Sequence, residues 1–220
     1  MCMNIEVSKR TYRQSARARA AEATGERILD AFATRLRLNW FDEIKLEQVA
    51  RDADVTVQTV IRRFGNKEGL LAAVHDRLGT QIRQRREVSA GDAPGAVNAL
   101  VNDYEEIGGL VMRSLAQEDR YPAMKAMTDV GRAMHRQWMC AAFEPWLKSL
   151  SDQERRRASD ALVVAGDIYV WKLIRQDMAR PVSEYRDLVE KLCAAAIGVE
   201  PASLFGDSGK RVRNDKRTTS

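Results

Sequence analysis

A chain of 220 residues with 45% apolar and 30% charged residues can fill a core and has room for one large domain or two modest ones. No apolar run approaches the ~18 residues of a membrane span and no signal h-region opens the chain, so a cytoplasmic protein is expected. The three cysteines, Cys2, Cys140 and Cys193, lack CxxC or Cys/His spacing. That argues against a disulfide framework and a zinc site, although it leaves a redox-sensing thiol open.

Net charge is +5, unevenly placed. Residues 1–88 hold 17 Lys+Arg against 12 Asp+Glu, whereas 89–205 hold 14 against 17. A protein meeting a polyanion at one end has this profile, and so does an ordinary surface. With five prolines and no long alternation of polarity, the fold class expected is all-α.

In chain order, residues 1–21 set Lys9, Arg10, Arg13, Arg17 and Arg19 against Glu6. Too few apolar residues are present to pack this stretch. It is expected to be a flexible basic arm, either solvated or lying on phosphates or in a minor groove. From Thr24 to Asn39, Ile28, Leu29, Phe32 and Leu36 recur at helical spacing, and Trp40 and Phe41 follow as a plug.

Residues 44–64, IKLEQVARDADVTVQTVIRRF, form two short helices joined by a tight turn. Leu46, Val49 and Ala50 give the first an apolar face. Thr56 suits the N-cap of the second, with Val55 and Val60 placed as a hydrophobic staple. Val60 and Phe64 bury its inner side. Thr56, Val57, Gln58 and Thr59, then Arg62 and Arg63, turn mostly outward. Hydroxyl, amide and methyl groups followed by two guanidinium groups suit a major groove flanked by phosphates. The same geometry also occurs in bundles that never touch DNA.

Asn66 is the expected cap of the next helix, with Leu70, Leu71, Val74, Leu78 and Ile82 on one stripe. Lys67 at its first turn is within reach of a phosphate, whereas Arg83, Arg85 and Arg86 read as a solvated face.

Residues 28–78 resemble the N-terminal domain of the tetracycline-repressor (TetR) family of transcriptional regulators. The matching features are ILDAF, the VA of the second helix, V-T-x-x-T-V, the closing Phe64 and NKEGLL. Asp54 departs from the family's usual glycine, and Ile61 from the aromatic that packs on the DNA backbone. The resemblance implies a repressor, a small-molecule effector and a homodimer formed by the last two helices.

A turn-rich linker, 87–95, marks the expected domain boundary. The expected organisation is an arm over 1–21 and a three-helix helix-turn-helix domain with its linking helix over 22–86. A larger helical ligand-binding and dimerisation domain follows over 93–200, then a disordered basic tail over 206–220. Leu100, Tyr104, Ile107, Val111 and Leu115 stripe the helix after the linker. Pro122 opens another with Met124, Met127, Val130, Met134, Trp138 and Phe143. Ser151 and Glu154 make a capping box for a helix expected to run unbroken to Met178. Pro181 begins the last, and both look too apolar to be solvated on every free side, so dimerisation is expected through 152–178 and 182–197.

No catalytic constellation is present and no cofactor is expected. His75 and His135 are lone imidazoles that read as structural. Methionine and aromatic residues suit an adaptable apolar cavity, so Tyr104, Met112, Met134, Trp138, Asp167 and Trp171 are the effector-site candidates. Tyr104 and Asp167 either orient a ligand or satisfy each other. The function expected is that of a non-enzymatic DNA-binding regulator, released from an operator when a largely apolar effector binds. A constitutive DNA-binding dimer without an effector, and a helical interaction module or small enzyme on the same scaffold, remain the alternatives.

Overall fold

The structure is a computed structural model that describes residues 4–206, with side chains from Ser15 onward. Eleven α-helices and a π-helical turn make up the described chain, which contains no strand. The all-α expectation holds.

Helix α1 runs Asn4–Leu38, 35 residues. The stretch over residues 4–21, expected as a loose arm, is therefore helical. Alanine, arginine, glutamine and glutamate there are all good helix formers, and propensity suffices where no apolar stripe exists. The expected tail lies outside the described residues beyond Gly206.

Helices α2 (Leu46–Asp52) and α4 (Lys67–Arg85) pack on the second half of α1, and α3 (Val57–Phe64) packs on α2 and α4. Ile28, Phe32 and Leu36 of α1 meet Val49, Ala50, Val60, Leu71 and Val74 in a buried cluster. Of the expected plug, only Phe41 is buried, edge-on to Phe32 and Tyr121, while Trp40 is exposed. The Phe41 backbone N–H donates to the buried Gln117 side chain at 2.7 Å.

Helices α5 (Ala93–Leu115) and α6 (Pro122–Ala142) start as their prolines dictate, with Asp92 capping α5 through the Gly95 N–H at 2.9 Å. Leu110 of α5 and Met124 of α6 lie in the N-terminal cluster, so the core continues across the expected boundary. A second core joins Leu100, Val101, Tyr104, Met139, Phe143, Leu162, Tyr185 and Cys193. It closes on Phe205 of α11 (Pro201–Phe205), a short helix not expected from the sequence.

The unbroken helix expected over 152–178 is wrong. Helix α8 (Asp152–Ala165), begun by the Ser151–Glu154 capping box, ends at Gly166. Asp167 then caps α9 (Ile168–Trp171), accepting from the Tyr169 N–H at 2.8 Å. A π-helical segment, Lys172–Asp177, follows, and α10 (Val182–Ala196) packs back on α8. Gly-Asp supplies a stop and a start side by side. Between α6 and α8 sits the single turn α7 (Glu144–Leu147), with Pro145 in its first positions.

Candidate functional site

Helix α3 is placed by short-range contacts. The Thr56 hydroxyl accepts from the Thr59 N–H at 3.2 Å and lies 3.0 Å from the Thr59 hydroxyl. Both threonines are thus partly engaged in capping. Asp54, in the preceding turn, has φ +52°, the left-handed region, at the position where the family it resembles usually has glycine. Aspartate tolerates it better than most residues with a Cβ. Arg35 fixes α2 from α1 by gripping Asp52 at 2.6 Å, and Arg27 donates to the Ala53 carbonyl at 3.2 Å.

The outward face holds Gln58, Ile61, Arg62 and Arg63, all exposed. Ile61, at 40% exposure, stands where the resemblance has an aromatic. Val57 is half-buried against the core. The Arg63 guanidinium lies over Gly25 of α1, where an added Cβ would meet it at 2.5 Å. Lys67 rests above the Phe41 ring, 4.6 Å from its centroid, with Nζ 3.4 Å from the Asp42 carbonyl. Of the residues expected to meet DNA, Gln58 and Arg62 are the least engaged within the chain. Arg17 and Arg19 are exposed on α1, the helix that Arg63 of α3 reaches at Gly25.

A cavity of about 490 Å³ opens between α4, α5 and α6. Such a volume falls within the range of small-molecule sites. Tyr104, Met134, Trp138 and Asp167 line it as expected from the sequence. Met112 and Trp171 do not. Met112 faces the second core, and Trp171 packs on Gly108 and donates to Glu105 at 2.8 Å behind α5. Nor do Tyr104 and Asp167 satisfy each other: the Tyr104 hydroxyl donates to the Gly166 carbonyl at 3.0 Å. Burial raises that hydroxyl's pKa to about 12, so it stays protonated.

Sequence reasoning missed the charged wall. Asp103, fully buried, accepts from Arg85 Nε at 2.6 Å and Arg86 Nε at 2.5 Å. Arg86 is itself buried, its guanidinium stacked 4.9 Å from the Trp138 ring and 5.4 Å from that of Tyr104. The Trp138 indole N–H donates to the Arg86 carbonyl at 2.8 Å. The end of α4 is therefore locked to α5 and α6 through Arg86, which lines the cavity, while Arg83 and Arg85 stay exposed as expected. The signal was Asp103 itself, a carboxylate one turn from Leu100 on an apolar stripe.

His135, also lining the cavity, meets no hydrogen-bond partner at either ring nitrogen. Burial and the Arg86 charge push its pKa down to about 4 against a smaller opposing pull from the Val163 backbone. Burial likewise lowers the pKa of His75. Burial lifts the Cys193 thiol to about 12, which removes it as a nucleophile at neutral pH. Among the described residues, no cluster of three His, Cys, Asp or Glu is placed to hold a metal, and no helix is long and apolar enough to cross a membrane.

Residues 40–74 match the family model described as bacterial regulatory proteins, tetR family. The match spans α2, α3 and the start of α4. No curated protein matches the chain.

Proposed function

We propose that this chain is a transcriptional regulator that leaves its operator when a small molecule fills the cavity, a reading supported by the match of residues 40–74 to the tetR-family model. The observation that carries the reading is the shared use of α4. Its first half packs under α3 in the N-terminal core, and its second half walls the cavity and ends on Arg86. A ligand pressing between α4 and α5–α6 favours a different position of α4 and hence of α3. Its leverage equals its difference in affinity between the two positions.

Gln58 reads base edges, Thr56 and Thr59 add hydroxyls, and Val57 supports the helix from beneath. Arg62, Arg63 and Lys67 hold phosphates, Lys67 after leaving its contact with Asp42. Two copies meet through α8 and α10. Exposed Val164, Tyr169, Leu173, Met178, Val182 and Leu192 lie on these helices and the segment joining them, an apolar set that suits a two-fold interface. That pairing would present two α3 helices to half-sites about 34 Å apart. Repression is the sign of regulation that the family suggests.

The cavity favours this reading over a constitutive dimer, which needs no space in its core. The test is binding of the full chain to DNA from upstream of its own gene at two salt concentrations. Tight binding that saturates at two chains per duplex and weakens steeply with salt is expected. Arg62→Ala should weaken binding to every sequence and lower the salt slope by about one. Unchanged affinity in that variant would remove Arg62 from the interface, and absence of specific binding at low salt would remove the function.

A further inference from the structure

The cavity has two unlike ends. Because α4 and α5 run past each other in opposite directions, Arg86 of α4 meets Tyr104 of α5, while Leu71 of α4 lies with Leu110 of α5. Lining residues on α5 extend from Tyr104 to Leu115, roughly 16 Å along the helix axis. The space is long rather than round. At the far end it is walled by Leu36 of α1 and Leu71 and Val74 of α4, core residues of the DNA-binding domain.

Ser114, Thr128 and Arg132 toward that far end already have partners. Ser114 donates to the Leu110 carbonyl at 2.9 Å, and Thr128 bonds the Lys125 carbonyl and Glu118. Arg132 is held by Glu118 at 2.9 Å and by Asp129 at 2.5 Å. The other end differs. Arg83 bonds the Thr80 hydroxyl at 2.9 Å and has no carboxylate partner among the described residues. Arg86 gives its Nε to Asp103, which leaves its remaining donors on the side of the Tyr104 hydroxyl, between two aromatic rings. Asp167 is the one carboxylate of the lining, and one of its oxygens is occupied by the Tyr169 N–H. A cation entering here meets Arg83 and Arg86, whereas an anion meets the guanidinium of Arg83, which no carboxylate among the described residues holds, and the Arg86 donors beyond the Nε given to Asp103.

We infer that the cavity takes a single-chain amphiphile with an anionic head, a medium- to long-chain carboxylate. The head lies at Arg83 and Arg86, and the chain runs toward Leu36, Leu71 and Val74. This rests on the cavity being the effector site. It adds a length rule: a short chain fills the Arg86 end without reaching the DNA-binding core, and a longer one wedges α4 away from α5. Short carboxylates thus bind without releasing DNA, and long ones do both.

The test is calorimetric titration of the full chain, without DNA and below micelle formation, with saturated carboxylates of increasing length, the matched primary alcohols and matched alkyltrimethylammonium ions. Affinity should rise with chain length and fall once the chain outgrows the cavity. Carboxylates should bind about tenfold tighter than alcohols, as expected of charge-assisted hydrogen bonds at a partly exposed guanidinium. Arg83→Gln, a change at an exposed position, should remove most of that preference and leave alcohol affinity unchanged. Equal binding of alcohols, binding of the ammonium series, or full carboxylate affinity in Arg83→Gln would overturn the proposal. Release of labelled DNA is read separately by anisotropy. If carboxylates bind with the stated preference but DNA stays bound at every length, the ligand class stands and the regulatory reading fails. If other molecules release DNA and carboxylates do not bind, the regulatory reading stands and the ligand class fails.

Discussion

The two ends of α4 treat charge in opposite ways. Near its N-terminus the guanidinium groups of Arg62 and Arg63 stand exposed, and short local bonds such as the Thr56 cap hold the helix that bears them. Near its C-terminus Arg85 and Arg86 converge on a fully buried Asp103, with Arg86 sandwiched by aromatic rings. Exposed charge costs the fold little and is available to a polyanion. Buried charge is expensive to leave unpaired, so it fixes where α4, α5 and α6 must meet. On the proposed function, one end supplies binding and the other supplies position.

The comparison breaks most visibly at Asp103. Asp103→Ala leaves the buried Arg86 guanidinium without its carboxylate while Arg85 keeps Glu106, and a loss of about 3–5 kcal/mol is expected in denaturant unfolding. Arg62→Ala, at the other end, should stay within about 0.5 kcal/mol of the parent. Equal effects at both positions would erase the distinction.

Next in size is pH. The folded-state pKa of His135, about 4, lies below the ordinary histidine value of about 6.5. Between these values the unfolded chain binds the extra proton and the folded chain does not. Stability is thus complete above pH 6.5 and is lost as pH falls toward 4, by up to roughly 3 kcal/mol. His135→Leu should flatten this slope in unfolding midpoints measured across the window, and a slope unchanged by the substitution would contradict the assignment.

Smaller effects are expected around α3. Thr56→Ala removes the cap and should cost about 1 kcal/mol of thermal stability. Asp54→Gly should gain about 0.5–1 kcal/mol by relieving the left-handed backbone at φ +52°. A loss in the second variant would mean that the aspartate side chain contributes more than the strain it bears.

The same contrast explains what the sequence made legible. The helix-turn-helix could be read almost residue by residue because caps act over three residues, as Thr56, Asn66 and Ser151 all do. Helix α1 was cut short because propensity without an apolar stripe leaves little trace. The break at Gly166-Asp167 was hidden inside an apolar run that suggested one buried helix. In the cavity, Tyr104, Met134 and Trp138 were found because bulky apolar residues gather there. Met112 fails because it lies one residue, and so about a quarter-turn, beyond Val111, which does line the wall. Arg86 was missed because pairing with Asp103 joins two helices across 17 positions, a distance over which periodicity carries no information.

The measurement that tests the central claim most directly is reciprocity. Affinity for the releasing carboxylate is measured on the free chain and on the chain saturated with its upstream DNA, and DNA affinity is measured with and without the carboxylate. Coupling through α4 predicts that each ligand weakens the other by the same factor, between about 5- and 150-fold. A carboxylate that binds free and DNA-bound chain equally well would contradict the account, because α4 would then carry nothing between cavity and recognition helix.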